Sequence, residues 1–172
     1  VKAYVIDFNG NVKEGLTPND VALGAEYKKS AEQRLLPVYE IVSETDVNKV
    51  ESVVLPLFGF GLWDNIWGFV SLEHDMNTIQ GVKFAHKGET PGLGARIDSE
   101  DIQSRYKGKK VFDGDNLVSV TMMKGEGNDY SSDQHKVDGM SGATLTGKGV
   151  NHMLKDYLNC YLNYIKKKKV NA

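Results

Sequence analysis

Val38-Tyr-Glu-Ile-Val-Ser43, Lys49-Val-Glu-Ser-Val-Val-Leu-Pro-Leu57, Ile66-Trp-Gly-Phe-Val-Ser-Leu-Glu-His74 and Thr78-Ile-Gln-Gly-Val-Lys-Phe-Ala-His86 follow one another with little between them. Each is rich in β-branched and aromatic residues, and the connections carry Gly, Asn and Asp, so the four read as consecutive strands. A parallel pair needs a crossover of a dozen residues or more, whereas these connections are short; the sheet is therefore expected to be antiparallel. Residues 1–8 read as a further strand closed by the turn signal Asn9-Gly10. Thr17 as N-cap, Pro18 at the first helical position and Asp20 at the third predict a helix that runs to about Leu35 and stops before Pro37.

Beyond residue 86 the pattern turns to loop chemistry. A short helix is expected over 98–106, capped by Asp98 or Ser99, with Gly108 just past its end. Residues 117–122 read as a strand, and 124–136 as a polar loop. From Val150 the apolar positions Val150, Met153, Leu154, Tyr157, Leu158, Tyr161, Tyr164 and Ile165 follow helical spacing, which predicts an amphipathic C-terminal helix. No repeat or linker divides the chain. The expected fold is α+β: a single domain over 1–172, mainly antiparallel sheet flanked by helices.

Composition narrows the function. With 40% hydrophobic and 26% charged residues this is an ordinary globular chain, and a net charge of −2 with interspersed signs gives no footprint for nucleic acid. The one cysteine, Cys160, excludes an internal disulfide and a Cys-based metal cluster, and its place in the last apolar pattern makes it a buried thiol. His74, His86, His135 and His152 lack ligand spacing, so no metal site is expected. The run 166–169 of four lysines reads as the solvated end of a helix, where cations complement the dipole; contact with an anionic membrane surface is the alternative. No stretch approaches the roughly 18 apolar residues of a membrane span. The start at Val1 reads as a soluble fragment or a processed chain.

The chemistry concentrates in Asp138-Gly139-Met140-Ser141-Gly142-Ala143-Thr144-Leu145-Thr146-Gly147, which sets hydroxyls among small residues just before the last helix. Glycine lets backbone approach a ligand, and a helix start presents free N–H groups and the positive dipole end, so the segment suits a phosphate. Two other readings compete. Gly142 to Lys148 fits the first part of a P-loop but fails at Gly149, where a Ser or Thr would bind magnesium. Ser141, Thr144 or Thr146 would alternatively cap the helix, although a cap needs one oxygen and no particular neighbours. A Ser141, His135 and Asp138 hydrolase has no nucleophile elbow behind it, and no catalytic residue is assigned.

This segment resembles the flavinylation motif of the FMN-binding domain family, Asp-Gly-x-Ser-Gly-Ala-Thr. The resemblance implies that Thr144 carries FMN through a phosphoester bond made by a separate flavin transferase, with Asp138 serving recognition or loop geometry. Gly139, Ser141, Gly142, Ala143, Leu145 and Thr146 would surround the cofactor. Glu89-Thr90-Pro91-Gly92-Leu93-Gly94, headed by His86, is similar to a second signature of the subset found in respiratory membrane complexes. Its Pro-Gly turn leaves Leu93 free to lie against a flat ring, although a plain loop explains the glycines as well. The Gly-Leu-Trp segment around Trp63 is similar to a third. Trp63 is placed at the cofactor edge or at a partner subunit, and Trp67, within a strand, in the core. The stretch 32–39 shares the resemblance and carries no identifiable chemistry.

The order of these motifs resembles a subunit of the sodium-translocating NADH:quinone oxidoreductase, with the Rnf-type complex as the nearest alternative. What this implies is a one-electron relay, other subunits of the complex as partners, and a single membrane helix ahead of the domain. It also implies a bacterial inner-membrane location with the domain on the periplasmic side. A non-redox scaffold of the same fold, or a flavin sensor, are the rivals.

Overall fold

A computed structural model describes residues 1–171. The predicted strands pair in chain order: β1 (Lys2–Ile6), β2 (Leu36–Val42), β3 (Val50–Phe60), β4 (Asn65–Glu73) and β5 (Ile79–His86) form one five-stranded antiparallel meander. Alternation sets its two faces. Leu72, Val70 and Ile66 of β4 stand opposite Val53, Leu55 and Gly59 of β3, and the five side chains are fully buried against the helical layer. Pro56 is tolerated in mid-strand because the β2–β3 pairing covers only 50–54, whereas β4 follows β3 to Phe60.

The helix that covers this face is α3 (Thr144–Cys160), whose Val150, Met153, Leu154, Tyr157 and Leu158 are buried. It lies so close to β3 that a Cβ on Gly59 would press on the Met153 side chain. After Tyr161 the chain continues as α4 (Leu162–Val170). The buried Tyr161 hydroxyl donates to the carbonyls of Pro37 (2.8 Å) and Pro56 (3.2 Å), pinning the break between the two helices to the sheet. The amphipathic pattern is thus as expected, but it is divided at Tyr161 and begins six residues earlier, inside the phosphate-type segment.

Three expectations are corrected. The helix predicted from Thr17 to Leu35 is broken. A 3-10 turn (Pro18–Asp20), started by the predicted cap, gives way to extended Val21; α1 (Leu23–Tyr27) and a second 3-10 turn (Ala31–Gln33) follow. Tertiary bonds override local propensity here. The Glu26 carboxylate accepts the Leu35 amide (2.9 Å), and buried Arg34 reaches Asp156 of α3 at 2.7 Å. The predicted strand over 117–122 is interrupted at Ser119, which has φ +62°. Its halves join different pairs: β7 (Asn116–Leu117) with β6 (Phe112–Asp113), and β8 (Thr121–Met122) in parallel with β9 (Lys136–Val137). The lysine run is solvated only in part: Lys166 and Lys167 are exposed, whereas Lys168 and Lys169 are half-buried. Lys167 donates to Asn11, Lys168 pairs with buried Glu40, and Lys169 stands 3.5 Å from the Phe112 ring centroid.

The short helix α2 (Glu100–Ser104) forms where predicted, with the Ser99 hydroxyl accepting the Ile102 amide and Gly108 at φ +83° beyond its end. A 3-10 turn (Gly94–Asp98) leads into it. Among the described residues, no helix is long and apolar enough to cross a membrane.

Candidate functional site

Three loops that lie far apart in sequence meet at one carboxylate. Glu89, which follows β5, is buried at 4% exposure. Its Oε1 accepts the Leu62 amide (2.8 Å) and the Thr146 hydroxyl (2.8 Å), and its Oε2 accepts the Trp63 amide (3.0 Å). The β3–β4 loop, the Glu89–Gly94 loop and the first turn of α3 are joined by these bonds. Burial pushes the Glu89 carboxyl up, but the hydrogen bonds it accepts, from the Leu62 and Trp63 amides first, outweigh it and hold the group below the usual glutamate value.

The glycines of these loops mark the contact. A Cβ on Gly61 would strike the Glu89 carboxylate, one on Gly94 the Thr146 hydroxyl, and one on Gly149 the Phe60 carbonyl. Gly149, which excludes magnesium binding by a P-loop, is therefore required by the packing of α3 against the end of β3. Thr90, Pro91, Gly92 and Leu93 form a tight turn with Gly92 at φ +74° and the Leu93 amide donating to the Thr90 carbonyl, the pattern of Pro then Gly in a type II turn. The turn also holds Trp63, whose indole N–H donates to the Thr90 hydroxyl (3.2 Å). His86 accepts the Glu89 amide at Nδ1 (3.1 Å), closing the loop from beneath.

Thr144 is the first residue of α3 and is half-buried, while Leu145 is exposed and Thr146 and Gly147 are buried. The N-cap is buried Ala143, which offers the first turn no side-chain hydrogen bond. None of Ser141, Thr144 and Thr146 is therefore the cap, and the alternative of a plain capped helix falls. Gly142, at φ +73°, sits under the Leu93 side chain. Thr144 lines a cleft of about 200 Å³ with Met122, Met123, Met140, Ala143, Gly147 and Asn151. Larger clefts, of about 620, 480, 330 and 310 Å³, lie elsewhere and hold none of these residues; that of 330 Å³ is lined by Arg105 and Asp138. Leu62, Trp63, Leu93 and Leu145 are all exposed, so apolar side chains project from each of the three loops.

Besides Asp138 and Gly139, the preceding loop is held by groups that no sequence pattern marks. Asp138 Oδ2 accepts the Gly127 amide (2.8 Å) and its Oδ1 the Gly139 amide (3.0 Å). Gly139 packs so tightly on the Met123 and Gly125 carbonyls that any side chain would collide. Glu126, from the stretch read as a polar loop, accepts both Arg96 Nη atoms (2.8 and 2.7 Å), Arg105 Nη2 (2.9 Å) and the Ser141 amide (2.9 Å). Arg105 also donates to the Gly139 carbonyl (2.8 Å). The Arg96 guanidinium, the Ser141 amide and Arg105 hold the Glu126 carboxyl far below the usual range. Trp67 is not core: it is 37% exposed on the outward face of β4, because Ile66 and Gly68 take the buried face.

A family model described as the FMN-binding domain matches residues 61–159, which contain all three loops and Glu126. The C subunit of the Na(+)-translocating NADH-quinone reductase of Pseudomonas aeruginosa is 38% identical over 141 residues, covering 78% of this chain and 53% of that protein. The chain spans about half the length of the relatives it matches in this way. The crystal structure of the corresponding C subunit from Parabacteroides distasonis superposes with a TM-score of 0.81 at 34% identity, covering 96% of this chain and 77% of the other. That of Shewanella oneidensis NqrC gives 0.79 at 30% identity, with 98% and 84% covered. The chain belongs to the FMN-binding domain family, within which it groups with the C subunits of the Na(+)-translocating NADH-quinone reductases.

Proposed function

We propose that this domain carries FMN as a phosphoester on Thr144 and relays electrons within a sodium-translocating NADH:quinone oxidoreductase. The observation that carries the reading is the fate of the three candidate hydroxyls. Thr146 is buried and spent on Glu89, and Ser141 lies outside the cleft, whereas Thr144 lines the cleft at the first turn of α3.

The site fits an FMN phosphodiester. Its negative charge would lie at the start of a 17-residue helix whose N-cap supplies no side-chain acceptor, so the amides of the first turn and the dipole are available to it. Gly142 and Ala143 leave the approach to Thr144 open. Apolar Leu62, Trp63, Leu93 and Leu145 would border the flavin ring, and Glu89 holds their three loops in mutual register.

Bond formation requires an activated donor, because ester formation from free FMN and a hydroxyl in water is uphill. A flavin dinucleotide meets this need: the Thr144 oxygen forms the new bond to the FMN phosphorus, the phosphoanhydride bond breaks, AMP leaves, and the hydroxyl proton passes to a base of the transferase. The domain itself contributes the acceptor and its setting. FMN, when bound, supplies reversible one-electron and two-electron chemistry, and the protein supplies placement and tuning.

The wider setting follows the same reading: partner subunits of the oxidoreductase, and a membrane helix ahead of the domain that anchors it on the periplasmic side of a bacterial inner membrane. There a domain cannot draw replacement cofactor from the cytoplasmic pool, which gives covalent attachment a physical reason. A spectroelectrochemical titration of the loaded domain, followed by NADH addition to membranes containing the whole complex, tests the relay. The flavin band is expected to bleach and recover reversibly in the first, and to bleach at catalytic rates in the second. A flavin that NADH leaves oxidised in the intact complex would contradict the relay role.

A further inference from the structure

We infer that Glu126 is the positioning residue of the flavin acceptor loop, presenting Thr144 to the transferase through its bond to the Ser141 amide. The inference rests on the reading of Thr144 as acceptor. The loop 138–143 must reach α3 in one conformation if an enzyme is to recognise it, yet it holds two glycines and makes few bonds of its own. From within, the Ala143 amide donates to the Met140 carbonyl (3.1 Å) and Asp138 folds onto Gly139. From outside, Ser141 is exposed, and its amide is fixed by the Glu126 carboxylate at 2.9 Å, three residues before Thr144.

Glu126 is itself immobilised. Arg96 grips it with two parallel N–H bonds, and Arg105 adds a third while donating to the Gly139 and Asp138 carbonyls. A two-pronged guanidinium–carboxylate pair fixes orientation as well as distance. Arg96 follows the Gly94–Asp98 turn's first residues and Arg105 follows α2, so the carboxylate refers the acceptor loop to the side of the sheet that carries Glu89. Asp101 balances the second arginine at 3.0 Å. The cluster thus spans three separate segments and converges on one backbone amide of the motif.

The consequence is kinetic. If the transferase binds the ordered loop, its apparent affinity falls with the fraction of molecules in that conformation, while turnover of the bound acceptor is unchanged. The test is transferase kinetics with flavin adenine dinucleotide as donor and this domain as acceptor, together with amide exchange over residues 138–143. Glu126→Ala is expected to raise KM for the domain about tenfold at nearly constant kcat, with the 138–143 amides exchanging at least tenfold faster. Glu126→Asp keeps the charge against both arginines but withdraws the oxygen from Ser141, and is expected to raise KM severalfold. Glu126→Gln keeps an oxygen for the Ser141 amide but turns an NH2 toward Arg96 Nη2 and Arg105 Nη2, which are themselves donors, and is expected to give a KM between those of Glu126→Ala and the parent.

If Glu126→Ala melts below the assay temperature, Glu126→Asp decides. A folded Glu126→Ala or Glu126→Asp protein with the parent KM would overturn the proposal, as would a raised KM without faster exchange of the 138–143 amides. A parent chain that takes up no flavin overturns the acceptor reading and this proposal with it. A parent that loads normally beside variants of unchanged KM overturns this proposal alone.

Discussion

Thr144→Ala is expected to fold like the parent and to hold no covalent flavin. Thr144 is half-buried, and its side chain does not cap α3. Removing its hydroxyl and methyl therefore costs little packing, and alanine is at least as good a helix residue, so stability should change by no more than about 0.5 kcal/mol. Loading is expected to be all-or-none by contrast, because the lost atom is the one proposed to form the ester. Thr146 cannot stand in for it: its hydroxyl is buried and engaged by Glu89. Flavin fluorescence of the denatured protein in a gel, after co-expression with a transferase, gives the readout beside a thermal melt. Fluorescence that survives in a folded Thr144→Ala protein would place the attachment elsewhere. Thr144→Ser should retain the label, since it keeps the oxygen.

Glu89→Ala is expected to produce the largest loss of stability among the site substitutions. It strands two backbone amides and the Thr146 hydroxyl at a buried position, and such unpaired donors cost about 1–3 kcal/mol each before relaxation. Water entering the space left by the side chain recovers part of this. A net loss of about 3 kcal/mol, or a fall in Tm of roughly 10 °C, is the expected result. Its pH dependence has a definite sign. Because the folded-state pKa of Glu89 lies below that of the unfolded chain, its contribution is complete above the ordinary glutamate value and is lost as the pH falls through the folded value. The gap between parent and Glu89→Ala in chemical denaturation should therefore be widest near neutrality and narrow below about pH 5. A gap that stayed constant down to pH 3 would show that the carboxylate form is not what joins the three loops.

The strands are legible because sheet formation leaves a local trace. The alternation of Ile66, Gly68, Val70 and Leu72 against Trp67, Phe69 and Ser71 states which face of β4 is buried. That same alternation assigns Trp67 to the outer face. Placing it in the core gives weight to residue type where periodicity decides. The segment 17–35 misleads for a different reason: its cap and proline start a helix correctly, but the bonds of Glu26 and Arg34 to distant backbone and to α3 hold it in short turns, and these leave no local pattern. The break at Ser119 is equally invisible, since a serine seldom takes a positive φ.

The candidate site divides along similar lines. Thr144, Trp63 and the Glu89–Gly94 loop stand out as separate segments, each with glycines that a close approach requires. That one buried carboxylate joins them is a fact of three dimensions. Arg96, Arg105 and Glu126 escape a sequence reading because ion pairing across 30 residues has no spacing rule, and because a glycine-rich polar stretch is ordinarily solvent-facing loop. The exposed Leu62, Trp63, Leu93 and Leu145 have the same character: scattered along the chain, they become a rim only when the loops meet.

The most direct measurement is the intact mass of the denatured domain after co-expression with a flavin transferase, followed by fragmentation of its α3 peptide. A gain of one FMN less a water, localised by fragment ions to Thr144 and absent from Ser141 and Thr146, is the predicted result. An unmodified mass, obtained while a known acceptor is labelled in the same cells, would contradict the covalent flavoprotein reading and leave this fold as a scaffold without its cofactor.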